Sequence, residues 1–387
     1  MIKVLSVFGT RPEAIKMAPV VKMMERYPDR IISRVCVTAQ HREMLDQILR
    51  LFDIQPDHDL DLMRPQQTLA QVTASVLTEL TPIIEAEQPD WLLVQGDTTT
   101  VMAASLAAFY LGVRVGHVEA GLRTRDKRQP FPEEINRRVA GVVADLHFAP
   151  TTWAKDNLLR EQVPAEQILV TGNSVIDALF TVSDKPYEPQ KGALAGIPWD
   201  KRLILVTAHR RENFGRSFED ICHALKTIAD RYPNDVHLVY PVHLNPNVQE
   251  PVYRLLAKVP NISLLSPLDY LPLVYLMKRC FLVLTDSGGI QEEAPGLGKP
   301  VLVLRNKTER PEGVEAGTVK LVGTDQGKIV AEAVQLLEDP QTYARMAQAR
   351  NPYGDGQAAA RVVKMLLGDM VEAYTSPDNR RMTIVDQ

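Results

Sequence analysis

Val4-Leu5-Ser6-Val7-Phe8-Gly9-Thr10-Arg11-Pro12-Glu13 is the stretch whose reading decides the fold. A short apolar, β-branched run passes through a glycine and a cationic turn into residues suited to start a helix, with Thr10 and Glu13 spaced as a capping box. Leu203-Ile204-Leu205-Val206-Thr207-Ala208-His209-Arg210-Arg211-Glu212 repeats the scheme in the second half. Working outward from these two, similar runs recur with helix-length segments between them, which is the pattern of parallel βαβ units. In the first half they are Val4–Phe8, Arg34–Val37, Trp91–Val94, Val113–Val118, Leu146–Ala149 and Ile168–Val170. In the second they are Leu203–Val206, Val236–Tyr240, Ile262–Leu265, Phe281–Leu284, Val301–Leu304 and Thr318–Leu321. Six and six imply an α/β protein of two doubly wound Rossmann-like domains, expected to face each other across a cleft.

The domain limits follow from composition. Residues 1–182 form the first domain and 202–356 the second. The turn-rich stretch 183–201, with Pro186, Pro189, Gly192, Gly196 and Pro198, reads as the linker. Residues 357–387 read as a last helix, Gln357 to Ala373, packing back across the interdomain region, with a loose tail from Thr375.

Composition narrows the function classes. The chain has 387 residues, 45% hydrophobic and 24% charged, which suits a protein with sizeable cores rather than a disordered or fibrous one. A net charge of −4, with scattered basic residues, gives no field for nucleic acid or an anionic membrane, so any anion must be caught locally. Apolar runs such as Trp91–Val94 are far too short for a membrane span, and the N-terminus carries no cleavable signal pattern, so a soluble, cytoplasmic protein is expected. Cys36, Cys222 and Cys280 are odd in number, lie in or beside apolar segments and form no CxxC pair, so they read as buried hydrophobes.

In an open parallel sheet the ligand crevice lies beyond the carboxyl ends of the strands. The residues found there are unusually polar: Arg11, Glu13 and Lys16; Gln40, His41 and Arg42; Gln95 and Asp97; His117, Glu119 and Arg123; His209, Arg210 and His243; Asp286 through Glu293; and Arg305 to Arg310. Thr10 and Glu13 place Arg11 and free amides at a helix N-terminus, an anion site. Ser287-Gly288-Gly289, between a strand and a helix, lets a phosphate approach the backbone and the helix dipole. Arg11, His209 and Arg310 are the cations to complete it. Glu293, a helical turn and a half on, is placed either to hold ribose hydroxyls or to be a solvated charge. Asp97, Glu119 and Glu133 lie on consecutive loops of the first half, and carboxylates gathered at one cleft separate into an acid and a base. Glu133 alone, in Pro130-Phe131-Pro132-Glu133-Glu134, reads equally as an exposed helix start.

Several patterns fail. Walker A, GxSxG and HExxH are missing, and His117-Val118-Glu119 lacks the cysteine partner of a zinc deaminase. Gly354-Asp355-Gly356-Gln357-Ala358-Ala359 follows no strand, so a nicotinamide cofactor is unsupported. No metal and no cofactor are expected.

With these residues in place, the chain resembles the bacterial non-hydrolysing UDP-N-acetylglucosamine 2-epimerases. Eight segments in order carry the resemblance: Phe8 to Lys16, Thr38 to Arg42, Gly96 to Thr100, Gly116 to Thr124, His209 to Glu212, Asp286 to Glu293, Thr308 to Glu312 and Asn351 to Gly356. It implies the glycosyltransferase-B fold, a homodimer, and an isomerase acting on UDP-GlcNAc and UDP-ManNAc without metal or nicotinamide. C2 of the sugar is not next to a carbonyl, so the resemblance implies elimination of UDP to 2-acetamidoglucal and readdition, with domain closure retaining both. It makes Asp97, Glu119 and Glu133 the acid/base groups at C2 and puts His209 by the phosphate. Arg11, Lys16, His209, Arg310 and the amides from Ser287 to Gly289 would hold the diphosphate, and Glu293 the ribose.

The resemblance also implies an allosteric UDP-GlcNAc site from Gln40, His41, Glu133, Arg210 and His243. The chain departs from some members there, with Glu43 in place of glutamine and Arg64-Pro65-Gln66-Gln67 in place of an arginine just before the Gln-Thr pair. A hydrolysing relative, a sugar-nucleotide sensor and a glycosyltransferase are the competing readings.

Overall fold

The computed structural model describes residues 1–38, 42–62, 64 and 66–375. It contains two compact units: Met1–Ala178 with the chain from Tyr353, and Leu179–Pro352. The first holds a seven-stranded sheet of β1 (Ile2–Phe8), β2 (Ile31–Val37), β3 (His58–Asp59), β4 (Trp91–Gln95), β5 (Arg114–Val118), β6 (Leu146–Ala149) and β7 (Ile168–Val170). The order is β3-β2-β1-β4-β5-β6-β7, parallel throughout. The second holds β8 (Arg202–Thr207), β9 (Val236–Pro241), β10 (Ile262–Leu265), β11 (Leu282–Thr285), β12 (Val301–Val303) and β13 (Val319–Leu321), in the order β10-β9-β8-β11-β12-β13, again parallel. Both are doubly wound Rossmann-like sheets, as expected from the repeated apolar runs.

The central strands are buried on both faces, which is why they read as continuous apolar runs rather than alternating ones. In the second unit one face packs Ile204, Val206, Leu238 and Leu284 with Phe218 and Leu225, and the other packs Leu203, Leu205, Val239 and Val283 with Leu276 and Met277. Each sheet reverses its winding between two strands that leave their first strand in opposite directions: β1 and β4 in the first unit, β8 and β11 in the second. A crevice forms at such a reversal. The turns after these four strands carry Gly9 to Glu13, Gly96 to Thr100, Ala208 to Arg210 and Asp286 to Gly289.

Three expectations need correction. The stretch 183–201 is built into the second unit rather than linking two units: Leu194 and Ile197 are buried with Leu203 and Leu205, and the Tyr187 and Trp199 rings lie 5.0 and 5.5 Å from that of Tyr275. Its prolines and glycines turn the chain while its few apolar side chains still find a core. The last helix is Ala358–Leu366, shorter than 357–373, because Gly368 takes a left-handed φ of 72° just past its end. It packs on helix Arg11–Met24 within the first unit. A seventh strand in the first unit, β3, has two polar residues and no apolar run to announce it. The tail beyond Thr375 lies outside the described residues.

Candidate active site

In the first unit the site begins at the β1–β4 reversal. The capping box forms at helix Arg11–Met24, and Glu13 does more than cap. Its Oε2 accepts from the Gly9 and Thr10 amides at 3.0 and 2.7 Å, and its Oε1 accepts from the Thr98 hydroxyl at 2.6 Å. One carboxylate thus ties the end of β1 to the end of β4, and burial raises its proton affinity above that of an ordinary glutamate. The Gly9 and Thr10 amides are therefore occupied from within. Arg11 stands half-buried at the first position of the helix.

Glu119 follows β5 with a left-handed φ of 61° and is buried. Lys16 Nζ lies 2.6 and 2.7 Å from its two oxygens, Asn173 Nδ2 donates at 2.9 Å, and Gln95 Nε2 donates as well. Lys16, expected at the diphosphate, here lies against Glu119 as its counter-charge. Asp97 Oδ2 accepts from Arg137 at 2.5 Å, and the Asp97 carbonyl accepts from Asn136 Nδ2 at 3.0 Å, so Asp97 is fixed by helix Glu133–Val143. Glu133 opens that helix, and among the described residues its buried Oε2 has no hydrogen-bond partner. An exposed helix start would not leave it so. The neighbouring Glu134 is the structural one, accepting from the Thr124 and Arg125 amides and from Arg138. His117 lies under this loop cluster, donating from Nε2 to Gly96 O at 2.7 Å; complete burial pushes it down to about 3, so it is a neutral brace.

In the second unit the helix Gly288–Gly296 starts at Ser287, whose side chain makes no cap. The first-turn amides have no intrahelical acceptors, so they and the positive end of the helix dipole face outward. A Cβ on Gly288 would lie 3.4 Å from the Arg310 guanidinium carbon and 3.7 Å from an Arg210 nitrogen, which places two cations over that turn. Arg310 is aimed by Glu292 Oε1 at 2.7 Å and Glu309 Oε2 at 3.1 Å. His209 follows β8, stacks on His243 with ring centroids 5.3 Å apart, and has Nδ1 3.5 Å from Asp286 Oδ1. Burial lowers its proton affinity, and Asp286 opposes the shift. Glu293 is buried, not solvated, and Tyr270 OH donates to its Oε2 at 2.7 Å.

The chain as a whole matches a known set of proteins. The family model described as UDP-N-acetylglucosamine 2-epimerase matches residues 23–367. The chain belongs to the UDP-N-acetylglucosamine 2-epimerase family. It is an isomerase, and the family fits the non-hydrolysing type. It is 58% identical to the UDP-N-acetylglucosamine 2-epimerase of Yersinia pestis over 375 residues, 95% of this chain and 99% of that one. The structure of a UDP-GlcNAc 2-epimerase from Neisseria meningitidis, bound to UDP-GlcNAc, is 51% identical with a TM-score of 0.88, covering 95% of this chain and 100% of the other. That of Methanocaldococcus jannaschii, in complex with UDP-GlcNAc and UDP, is 32% identical with a TM-score of 0.78, covering 94% and 99%.

In this epimerase family member, reading the strand ends names Asp97, Glu119 and His209 but not the side chains they pair with. Asn173 went unnoticed although it stands just after β7, where the same rule would have found it. Tyr270 and Arg137 had no signal, because each reaches the site from within a helix. Of the residues expected at an allosteric site, Arg210 and His243 lie beside Gly288 and His209, while Gln40 and His41 lie outside the described residues.

Proposed function

We propose that this epimerase interconverts UDP-GlcNAc and UDP-ManNAc at C2 by elimination of UDP and readdition. The observation that carries the reading is the unequal holding of the carboxylates: Glu119 has a cation and two amide donors, whereas Glu133 keeps a buried oxygen with no hydrogen-bond partner among the described residues. Carboxylates in such different surroundings divide into a base and an acid, as two-sided proton exchange at one carbon requires. In elimination the C1–O bond to the diphosphate breaks, C2 loses its proton to a carboxylate, and 2-acetamidoglucal forms. In readdition C2 takes a proton on the opposite face and the diphosphate oxygen returns to C1.

The second unit supplies the leaving-group half. Arg310 and the first-turn amides of helix Gly288–Gly296 stabilise the departing diphosphate, His209 contacts it, and Glu293 holds the ribose. Arg11 adds a cation from the first unit. The solved relatives holding UDP-GlcNAc and UDP support these ligands. The product supplies ManNAc for cell-surface polysaccharide from a cytoplasmic enzyme; among the described residues no helix is long and apolar enough to cross a membrane. The enzyme works as a homodimer, a reading supported by the exposed Phe109, Tyr110 and Val142 of the first unit. UDP-GlcNAc also activates it allosterically, with Arg210 and His243 contributing. A reaction started from pure UDP-ManNAc that runs without lag would sink that part.

The test is incubation of metal-stripped protein with UDP-GlcNAc in D2O, followed by sugar and phosphorus NMR. UDP-ManNAc with deuterium at C2 is the expected result. Free UDP and ManNAc would mean hydrolysis, and binding without turnover would mean a sensor. Asp97→Asn should lower turnover by roughly 10² or more, the usual worth of a positioned acid or base.

A further inference from the structure

The Asp286 side chain is fully buried at the end of β11, beside His209 at the end of β8, on adjacent strands where Thr285 pairs with Thr207. Its two oxygens are used unequally. Oδ2 accepts from the His209 amide at 2.9 Å, the Arg210 amide at 2.8 Å and Asn213 Nδ2 at 3.1 Å. Oδ1, equally buried, accepts no hydrogen bond from the described residues and lies 3.5 Å from His209 Nδ1. A buried carboxylate oxygen without a donor is costly, so its position beside a ring nitrogen calls for an explanation. At 3.5 Å the contact is at the outer limit of a hydrogen bond, and such bonds in ligand-free enzymes commonly tighten once the ligand is bound.

Resting on the function proposed above, we infer that Asp286 is the positioning residue for His209. Its free oxygen fixes the tautomer with the proton on Nδ1 and leaves Nε2 to take a proton from solvent when a diphosphate binds. The ring then becomes an imidazolium held between the Asp286 carboxylate and the anion, donating from Nε2 to a phosphate oxygen. The groups facing this ring are Asp286 from the β11 end, His243 from the β9 end and Arg210 from its own turn. His243 cannot take over the role of acceptor for Nδ1, because its own Nδ1 accepts the Asn245 amide at 3.1 Å. Without the carboxylate, a cation beside Arg210 would go uncompensated. The carboxylate also anchors the amides of both His209 and Arg210, so one side chain sets the backbone and the ring together.

Two measurements test this. In the unaltered protein, ¹⁵N NMR of the His209 ring should show a neutral ring protonated on Nδ1; a proton on Nε2 overturns the proposal. Calorimetric titration with UDP in two buffers of different protonation enthalpy should show proton uptake by the parent and none by Asp286→Asn. Asn keeps an oxygen for the two backbone amides but offers an N–H to Nδ1. The same variant should lose about a hundredfold or more in kcat/KM and bind UDP more weakly, because the contact is already made when the diphosphate binds. Equal proton uptake, or equal kcat/KM, in parent and variant overturns the proposal. If the parent does not bind UDP, the functional reading falls, and the NMR result still decides what Asp286 does to the ring.

Discussion

Glu119 pays for its position in backbone strain, since a non-glycine residue at φ 61° is held there only by its surroundings. Those surroundings are Lys16, Gln95 and Asn173, drawn from a helix and two strand ends. A role for Lys16 at the carboxylate makes a prediction that separates it from a phosphate ligand. Lys16→Met should lower kcat at least about tenfold while UDP affinity shifts less than about threefold, because the lost charge faces Glu119. A selective loss of UDP affinity, read by calorimetry, would return Lys16 to the diphosphate. Strand-end logic finds Lys16 and Glu119 but cannot pair them, because they are 103 residues apart in sequence. The same holds for His209 and Asp286, 77 apart, whose relation appears only once β8 and β11 lie side by side. The residues are legible because a parallel sheet sends its polar turns to one end; the partners are not, because pairing depends on strand order.

At the scale of elements, the sheets were legible because strands buried on both faces are written as unbroken apolar runs. The stretch 183–201 was not, since turn residues dominate its composition while a few scattered side chains, Tyr187, Leu194, Ile197 and Trp199, decide that it packs. The loop after β5 depends on a similar detail. Gly121 has φ 90°, and a Cβ there would come within 2.2 Å of the Ala154 carbonyl oxygen. Backbone cannot retreat as a side chain can, so the Glu119 loop lies directly on helix Thr152–Arg160 because residue 121 is glycine. Gly121→Ala should destabilise the protein by roughly 2 kcal/mol or more, through strained φ and overpacking together. The lowered urea midpoint should come with a larger loss of kcat than of substrate affinity, since the loop carries Glu119. An unchanged midpoint would show that the loop can shift without cost.

At the scale of the whole molecule, two neighbouring histidines of the first unit contribute to its acid sensitivity. His117 and His147 are register partners on β5 and β6, both buried, with burial pushing them down to about 3 and about 4. Unfolded, each titrates near 6.5, so between pH 6.5 and those lower values the unfolded chain binds more protons than the folded one. Their contribution to stability is complete above pH 6.5 and drains away as the pH falls. From pH 7 to 5 each should remove on the order of 2 kcal/mol. Asp177 acts in the opposite sense. Buried while accepting from the Ala358 and Ala359 amides, it is pushed up to about 6 from an unfolded value near 3.8, so its effect is to lower stability as the pH rises through that window. The net acid slope of the parent is therefore smaller than the histidines alone would give, and variants must be used to separate the contributions. Urea midpoints measured at pH 7 and pH 5 should fall less on acidification in His117→Gln and in His147→Gln than in the parent, and should fall more in Asp177→Asn. If all four proteins show the same acid slope, these three groups titrate alike in the folded and unfolded chain, and the acid limb belongs to other carboxylates.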